Sequence, residues 1–234
     1  MSRGFWIYGV LLVAIQGLAA CGNNPVEDDP IEMASGEQGA GDKLVVAFGD
    51  SLFAGYQLAP NEGLAPQLQA ALKEDGISAR VHNAGVSGDT TAAGRIRLSF
   101  VLDSLERKPD LVVLGLGGND MLRGIKPKET RANLEAMLQE LQRRKIKVVM
   151  TGMLSAPNLG ADYAREFNPL YPELAAQYGA KLYPFFLEGV VMDKSLMLKD
   201  NVHPNAKGVT RVVEGLSPLV EATLMDNRSA VLEK

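Results

Sequence analysis

The chain has 234 residues and a formal net charge of −4 with no basic stripe, which excludes the electrostatic footprint of a nucleic-acid binder. Its single cysteine has no partner for an intramolecular disulfide, so the fold stands on its apolar core alone. There is no Cys/His ligand cluster, no EF-hand loop and no phosphate-binding Gly-Lys-Ser/Thr loop, so nothing in the sequence demands a metal or an organic cofactor.

Residues 1–20 read as an export signal. Arg3 supplies a minimal positive start, and Phe5 to Leu18 is an apolar stretch too short for a membrane span. Leu18-Ala19-Ala20-Cys21 resembles a bacterial lipobox, in which cleavage leaves Cys21 as a lipid-modified N-terminus. Several acyl chains on one residue anchor a protein stably. Gly22, in place of Asp, favours the outer membrane, with the protein facing the periplasm. The competing reading is an ordinary signal peptide with a chance cysteine. Residues 21–42 are rich in Gly, Asn, Asp, Glu and Pro and lack an apolar period, as a flexible acidic tether would. Residues 43–234 then form one domain of a size that supports a single core.

Within that domain strand-like and helix-like patterns alternate. The expected strands are Lys43–Phe48, Ser78–Asn83, Leu111–Leu116, Lys147–Met153 and Ala180–Phe185. Leu64, Leu68, Ala71 and Leu72 recur at helical spacing, and Gly76 follows as a stop. Leu134, Met137, Leu138 and Leu141 repeat the pattern, with Pro127 suited to a first helical turn. Val209, Val212, Val213 and Leu216 do so again before Pro218. These stripes are core faces. Strands alternating with helices imply a parallel sheet covered on both sides, an α/β fold.

Four short motifs carry chemistry: Gly49-Asp50-Ser51-Leu52, Ser87-Gly88-Asp89-Thr90, Gly117-Gly118-Asn119-Asp120 and Asp200-Asn201-Val202-His203-Pro204. Ser51 lies just past the carboxyl end of a buried strand, where open α/β sheets place their ligands. A serine hydroxyl is a poor nucleophile until a base takes its proton, and a carboxylate improves that base by orienting it. Asp200 and His203, three residues apart, supply such a pair. The other histidine, His82, lies in a β-like stretch and reads as structural. Each motif has a bland reading as well: Ser51 as a helix N-cap, Gly88 and Asn119 as turn residues, Asp200 as a solvated loop residue.

With these motifs in this order, the chain resembles the SGNH hydrolases, also called the GDSL esterase/lipase family, over Lys43 to Val220. It is most similar to the bacterial acyl-thioesterase/arylesterase/lysophospholipase group. Gly49 to Tyr56, Leu116 to Gly124, Ala156 to Gly160 and Tyr183 to Phe186 carry that likeness. The resemblance implies a flavodoxin-like three-layer α/β/α sandwich with strand order 2-1-3-4-5. It implies a catalytic set of Ser51, Asp200 and His203. It also implies an oxyanion hole made by the backbone N–H groups of Ser51 and Gly88 and the side-chain amide of Asn119. Asp50, Asn83, Asp89 and Asp120 are expected to hold loops by hydrogen bonds.

Two loops of apolar composition are expected to line an acyl groove, through Met121 and Ile125 on one side and Leu154 and Leu159 on the other. Relatives in the group often carry Arg where this chain has Leu154 or Ser155, so acyl-length preference does not transfer. The leading expectation is a monomeric serine esterase acting on medium or long acyl esters, thioesters or lysophospholipids, held at the membrane by Cys21. A carbohydrate O-deacetylase of the same fold would need a shallow polar site. A non-catalytic lipid- or glycan-binding lipoprotein would have lost Ser51, Asn119 or His203. A lipoprotein that binds an envelope partner is a further reading, compatible with either activity.

Overall fold

The computed structural model of the protein describes residues 42–226. The leader, the lipobox with Cys21 and nearly all of the tether lie outside the described residues.

Five strands, β1 (Lys43–Gly49), β2 (Ala79–Gly85), β3 (Leu111–Gly115), β4 (Lys147–Thr151) and β5 (Lys181–Tyr183), form one parallel sheet in the order β2-β1-β3-β4-β5. The central strands β1 and β3 are continuous apolar runs because both of their faces are covered. Leu44 to Phe48 and Leu111 to Leu114 are all buried. Successive side chains point to opposite faces, so each strand feeds two cores. Val45, Ala47, Leu111 and Val113 pack against α2 (Leu64–Glu74) and α8 (Ala206–Met225). Val46, Phe48, Val112 and Leu114 pack against α3 (Thr91–Asp103), α5 (Pro127–Arg143) and α7 (Leu170–Tyr178). The result is the three-layer α/β/α sandwich with the expected strand order.

Several boundaries differ from expectation, three of them for identifiable reasons. The fourth and fifth strands end early, at Thr151 and Tyr183. Pro184 has no N–H with which to continue a ladder. The Gly152 N–H donates to the Tyr183 carbonyl at 2.8 Å, and Phe186 donates back to Gly152 at 2.9 Å, so the two chains stay paired beyond the sheet. A Cβ on Gly152 would stand 2.0 Å from the Pro184 oxygen, which fixes glycine there. The last helix does not stop before Pro218 but runs on to Met225. Pro218 is on the exposed side, while Val220 and Leu224 beyond it are buried and hold the second half of the helix to the sheet. The Lys147 ammonium then donates to the carbonyls of Thr223, Leu224 and Asp226 at 3.0, 3.3 and 2.7 Å, a favourable cation at a helix C-terminus.

The sheet order reverses at β1, whose neighbours β2 and β3 run to opposite sides. At such a switch point the connections from the strand ends diverge and leave a crevice. Three further helices among the described residues are α1 (Ser51–Ala54) after β1, α4 (Gly118–Leu122) after β3, and α6 (Gly160–Phe167), which with α7 lies between β4 and β5.

Candidate active site

Ser51 opens α1 directly after β1. Asp50 caps that helix, its Oδ1 accepting the Leu52 N–H at 3.0 Å, while its carbonyl accepts from Phe53 and Ala54. These bonds use three of the first N–H groups and leave that of Ser51 without an acceptor among the described residues, as helix geometry allows. Phe53 folds back over the ends of β1 and β3. A Cβ on Gly49 or Gly115 would lie 2.4 or 2.1 Å from its ring, so both strands must end in glycine for the serine loop to sit this low.

Ser51, His203 and Asp200 meet. His203 Nε2 is 2.8 Å from Ser51 Oγ, and His203 Nδ1 is 2.7 Å from Asp200 Oδ2. The other oxygen of Asp200 accepts the backbone N–H groups of Val202 and His203 at 2.9 and 3.0 Å. One carboxylate therefore orients the imidazole ring and the peptide that carries it. Asn201, at φ 55°, makes the turn tight enough. Partial burial raises the Asp200 pKa, but the N–H groups of Val202 and His203 and then the His203 ring outweigh that and hold it down at about 2. Asp200 is thus ionised at neutral pH and accepts from Nδ1–H, which leaves the Nε2 lone pair facing Ser51. The Tyr56 ring packs on the imidazole, centroids 4.5 Å apart.

The other motif residues surround Ser51. Asn119 lies in α4, and its amide nitrogen donates to the Asp89 carbonyl at 3.0 Å and approaches Asp50 Oδ2 at 3.4 Å. Gly88 adopts φ 85°, a left-handed conformation that favours glycine, and its carbonyl accepts from the Arg123 guanidinium at 2.8 Å. The four expected loop-holding residues are all hydrogen-bonded. Asn83 accepts the Gly85 N–H at 2.9 Å, and Asp89 pairs with Arg97 at 2.6 Å. Buried Asp120 accepts from the Thr91 backbone and from the hydroxyls of Thr91 and Thr130. Asp50 is 3% exposed, and burial pushes its carboxyl up to about 6 against the pull of the Leu52 N–H and the His203 charge. His82 is exposed on β2 and takes no part.

Ser51, Gly88, Asn119 and His203 line one cavity of about 590 Å³. Met121 and Leu154 line it as expected. Ile125 and Leu159 do not, which corrects the groove drawn from composition. The Ile125 N–H is bound to the Asp120 carbonyl and its own carbonyl accepts from the Tyr163 hydroxyl, both at 2.9 Å, which ties it into the turn before α5. A 3-10 turn at Pro157–Leu159 redirects Leu159 toward the core beneath α6. Their places are taken by Leu122, Met153, Phe185, Leu187, Val191, Met192 and Val202. The available signal was the apolar segment Phe185 to Met192, which follows a strand without helical spacing and leaves Met192 92% exposed. Met121 also joins two walls, its sulfur accepting the Ala156 N–H at 3.1 Å.

A hydroxyl, an imidazole and a carboxylate in relay beside an apolar cavity are the parts of a serine hydrolase. Residues 47–211 match the GDSL-like Lipase/Acylhydrolase family, and the chain belongs to it, and so to the carboxylic-ester hydrolases. Esterase TesA of Pseudomonas aeruginosa is 39% identical over 188 residues, which cover 80% of this chain and 92% of that protein. Thioesterase 1/protease 1/lysophospholipase L1 of Escherichia coli is 35% identical over 168 residues, 71% of this chain and 77% of that one. The crystal structure of AlinE4, described as an SGNH-hydrolase family esterase, is similar at 54% identity and a TM-score of 0.67, over 78% of this chain and 97% of that one.

Proposed function

We propose that the protein is a serine esterase that cleaves carboxylic esters or thioesters of medium or long acyl chains through an acyl-enzyme on Ser51. The observation that carries this reading is the unbroken relay Asp200–His203–Ser51, which opens into an apolar cavity of about 590 Å³. In the first step Ser51 Oγ attacks the acyl carbon as His203 Nε2 takes its proton. The oxyanion is met by the N–H groups of Ser51 and Gly88 and by the Asn119 amide. The 3.4 Å contact to Asp50 is long, so that amide hydrogen can turn to the developing charge. His203 then returns the proton to the leaving alkoxide or thiolate, and the ester bond breaks. Water, giving a proton to the same imidazole, attacks the acyl carbon; as the bond to Ser51 Oγ breaks, His203 returns that proton to Oγ, and the acid leaves.

Relatives named esterase and thioesterase/lysophospholipase support acyl esters, thioesters and lysophospholipids as the substrate class. The decisive experiment is a chain-length series of p-nitrophenyl esters and acyl-CoAs on the soluble domain from Asp42 onward. Turnover that climbs from acetyl to octanoyl supports the reading. Outright preference for acetyl esters or acetylated sugars replaces it with the O-deacetylase. The absence of any turnover points to a binding lipoprotein. The same proposal holds the enzyme at the outer membrane through acylated Cys21. Radiolabelled palmitate should enter the wild type but not Cys21→Ser, and labelling that survives the substitution refutes the anchor.

A further inference from the structure

Arg97 lies on α3, outside the cavity lining, yet it touches two of the loops that build the site. Its Nε donates to Asp89 Oδ2 at 2.6 Å, and its Nη2 donates to the Gly49 carbonyl at 2.9 Å. The guanidinium also sits 4.0 Å above the Phe48 ring. Gly49 is the last residue of the nucleophile strand, two positions before Ser51. Asp89 is the residue whose carbonyl orients the Asn119 amide. One planar group thus spans the peptide that leads to the nucleophile and the peptide that aims an oxyanion donor. The pair is shielded, with side-chain exposures of 19% for Arg97 and 12% for Asp89, so it is not a freely solvated surface bridge.

From this geometry we infer that Arg97 is a positioning residue, which sets the distance between Ser51 and the Asn119 amide through Asp89. The inference rests on the esterase reading and adds a part to it. Arg97 meets no substrate atom. Its fork suits the task because two N–H vectors diverge in one rigid plane toward a carboxylate and a carbonyl. A lysine ammonium keeps the charge but not the plane, so it satisfies one partner at a time. The transition state needs both loops in register, whereas the cavity walls that bind the acyl chain come from other segments. Loss of the fork should therefore lower kcat and leave KM nearly unchanged.

The test is a double-mutant cycle of Arg97→Lys and Arg97→Met with Asn119→Ala, in the soluble domain. Rates are taken per Ser51 titrated with a fluorophosphonate, so that only folded enzyme counts. A displaced donor costs up to about 100-fold in rate, so kcat should fall roughly 10-fold in Arg97→Lys and further in Arg97→Met. In the Asn119→Ala background the same changes should cost clearly less, because the donor whose distance from Ser51 they set is gone. Equal losses in both backgrounds overturn the inference, as does a rise in KM with kcat held, or a loss that vanishes once rates are normalised to titrated sites. Should Arg97→Met fail to fold, Asp89→Asn breaks the same ion pair while keeping the Asp89 carbonyl, and the cycle is read with it. A wild type without ester turnover would defeat the esterase reading itself. Additive losses in an active enzyme defeat only this assignment.

Discussion

Asp200 holds His203 both by its ring and by its backbone N–H. Removing the base or the nucleophile should therefore look alike. Ser51→Ala and His203→Ala should each lower kcat by several orders of magnitude, and the double variant by little more, as steady-state kinetics will show. Asn119→Ala should cost about 2.7–4 kcal/mol of transition-state stabilisation, the loss typical of one oxyanion donor, and it should fall on kcat. A rise in KM alone would make Asn119 a ground-state contact. Asp50 yields a pH prediction. Its folded pKa of about 6 is above the ordinary 3.8, so the folded state holds that proton more tightly than the unfolded chain. The stability it adds is complete below about pH 4 and is lost as pH rises through 6, worth about 3 kcal/mol in all. Asp200 has the opposite sign: its support is present above pH 3.8 and is lost only toward pH 2. Urea unfolding between pH 4 and 7 should thus show a decline in the wild type that Asp50→Asn flattens. An identical slope in both proteins would mean that Asp50 is not the group responsible. The reacting residues were legible because their chemistry confines them to a few types at fixed spacings. Arg97 and the burial of Asp50 were not, since each depends on a partner far away in sequence, the Gly49 carbonyl for Arg97 and the Asn119 side chain for Asp50.

At the scale of elements, the cavity wall is where composition and structure part. Leu154 faces the cavity and Leu159 turns into the core, although both belong to one apolar loop. The structure therefore separates two substitutions that the sequence treats as equivalent. Each methylene that the cavity buries adds up to about 0.8 kcal/mol to transition-state binding, so kcat/KM should climb from acetyl to octanoyl esters. Leu154→Ser should flatten that climb and spare acetyl turnover. Leu159→Ser should leave the profile unchanged and lower Tm instead. A flattened profile in Leu159→Ser would put the groove back where loop composition had drawn it. The strands and the helices α2, α5 and α8 were legible because one period dominates each. Helix α3 was not, because its apolar residues point both ways: Leu98 and Leu102 are buried while Ile96 and Phe100 are 83% and 75% exposed. Nor was the far half of α8, where Pro218 reads as a stop although Val220 and Leu224 continue the buried face.

For the whole molecule, the direction of β1 fixes which edge of the domain carries the site. The chain joins the sheet at Lys43 and reaches the nucleophile loop at Gly49, so β1 separates its own start from the site by about 20 Å. The relay therefore stands at the carboxyl ends of the strands, and the start of the domain at their amino ends. Residues that precede Asp42 join the domain at the edge away from the chemistry. The full-length protein and the domain from Asp42 onward should thus turn over water-soluble p-nitrophenyl esters with the same kcat/KM. A severalfold difference between the two would mean that residues before Asp42 contribute to the site, and the separation drawn from β1 would not isolate it.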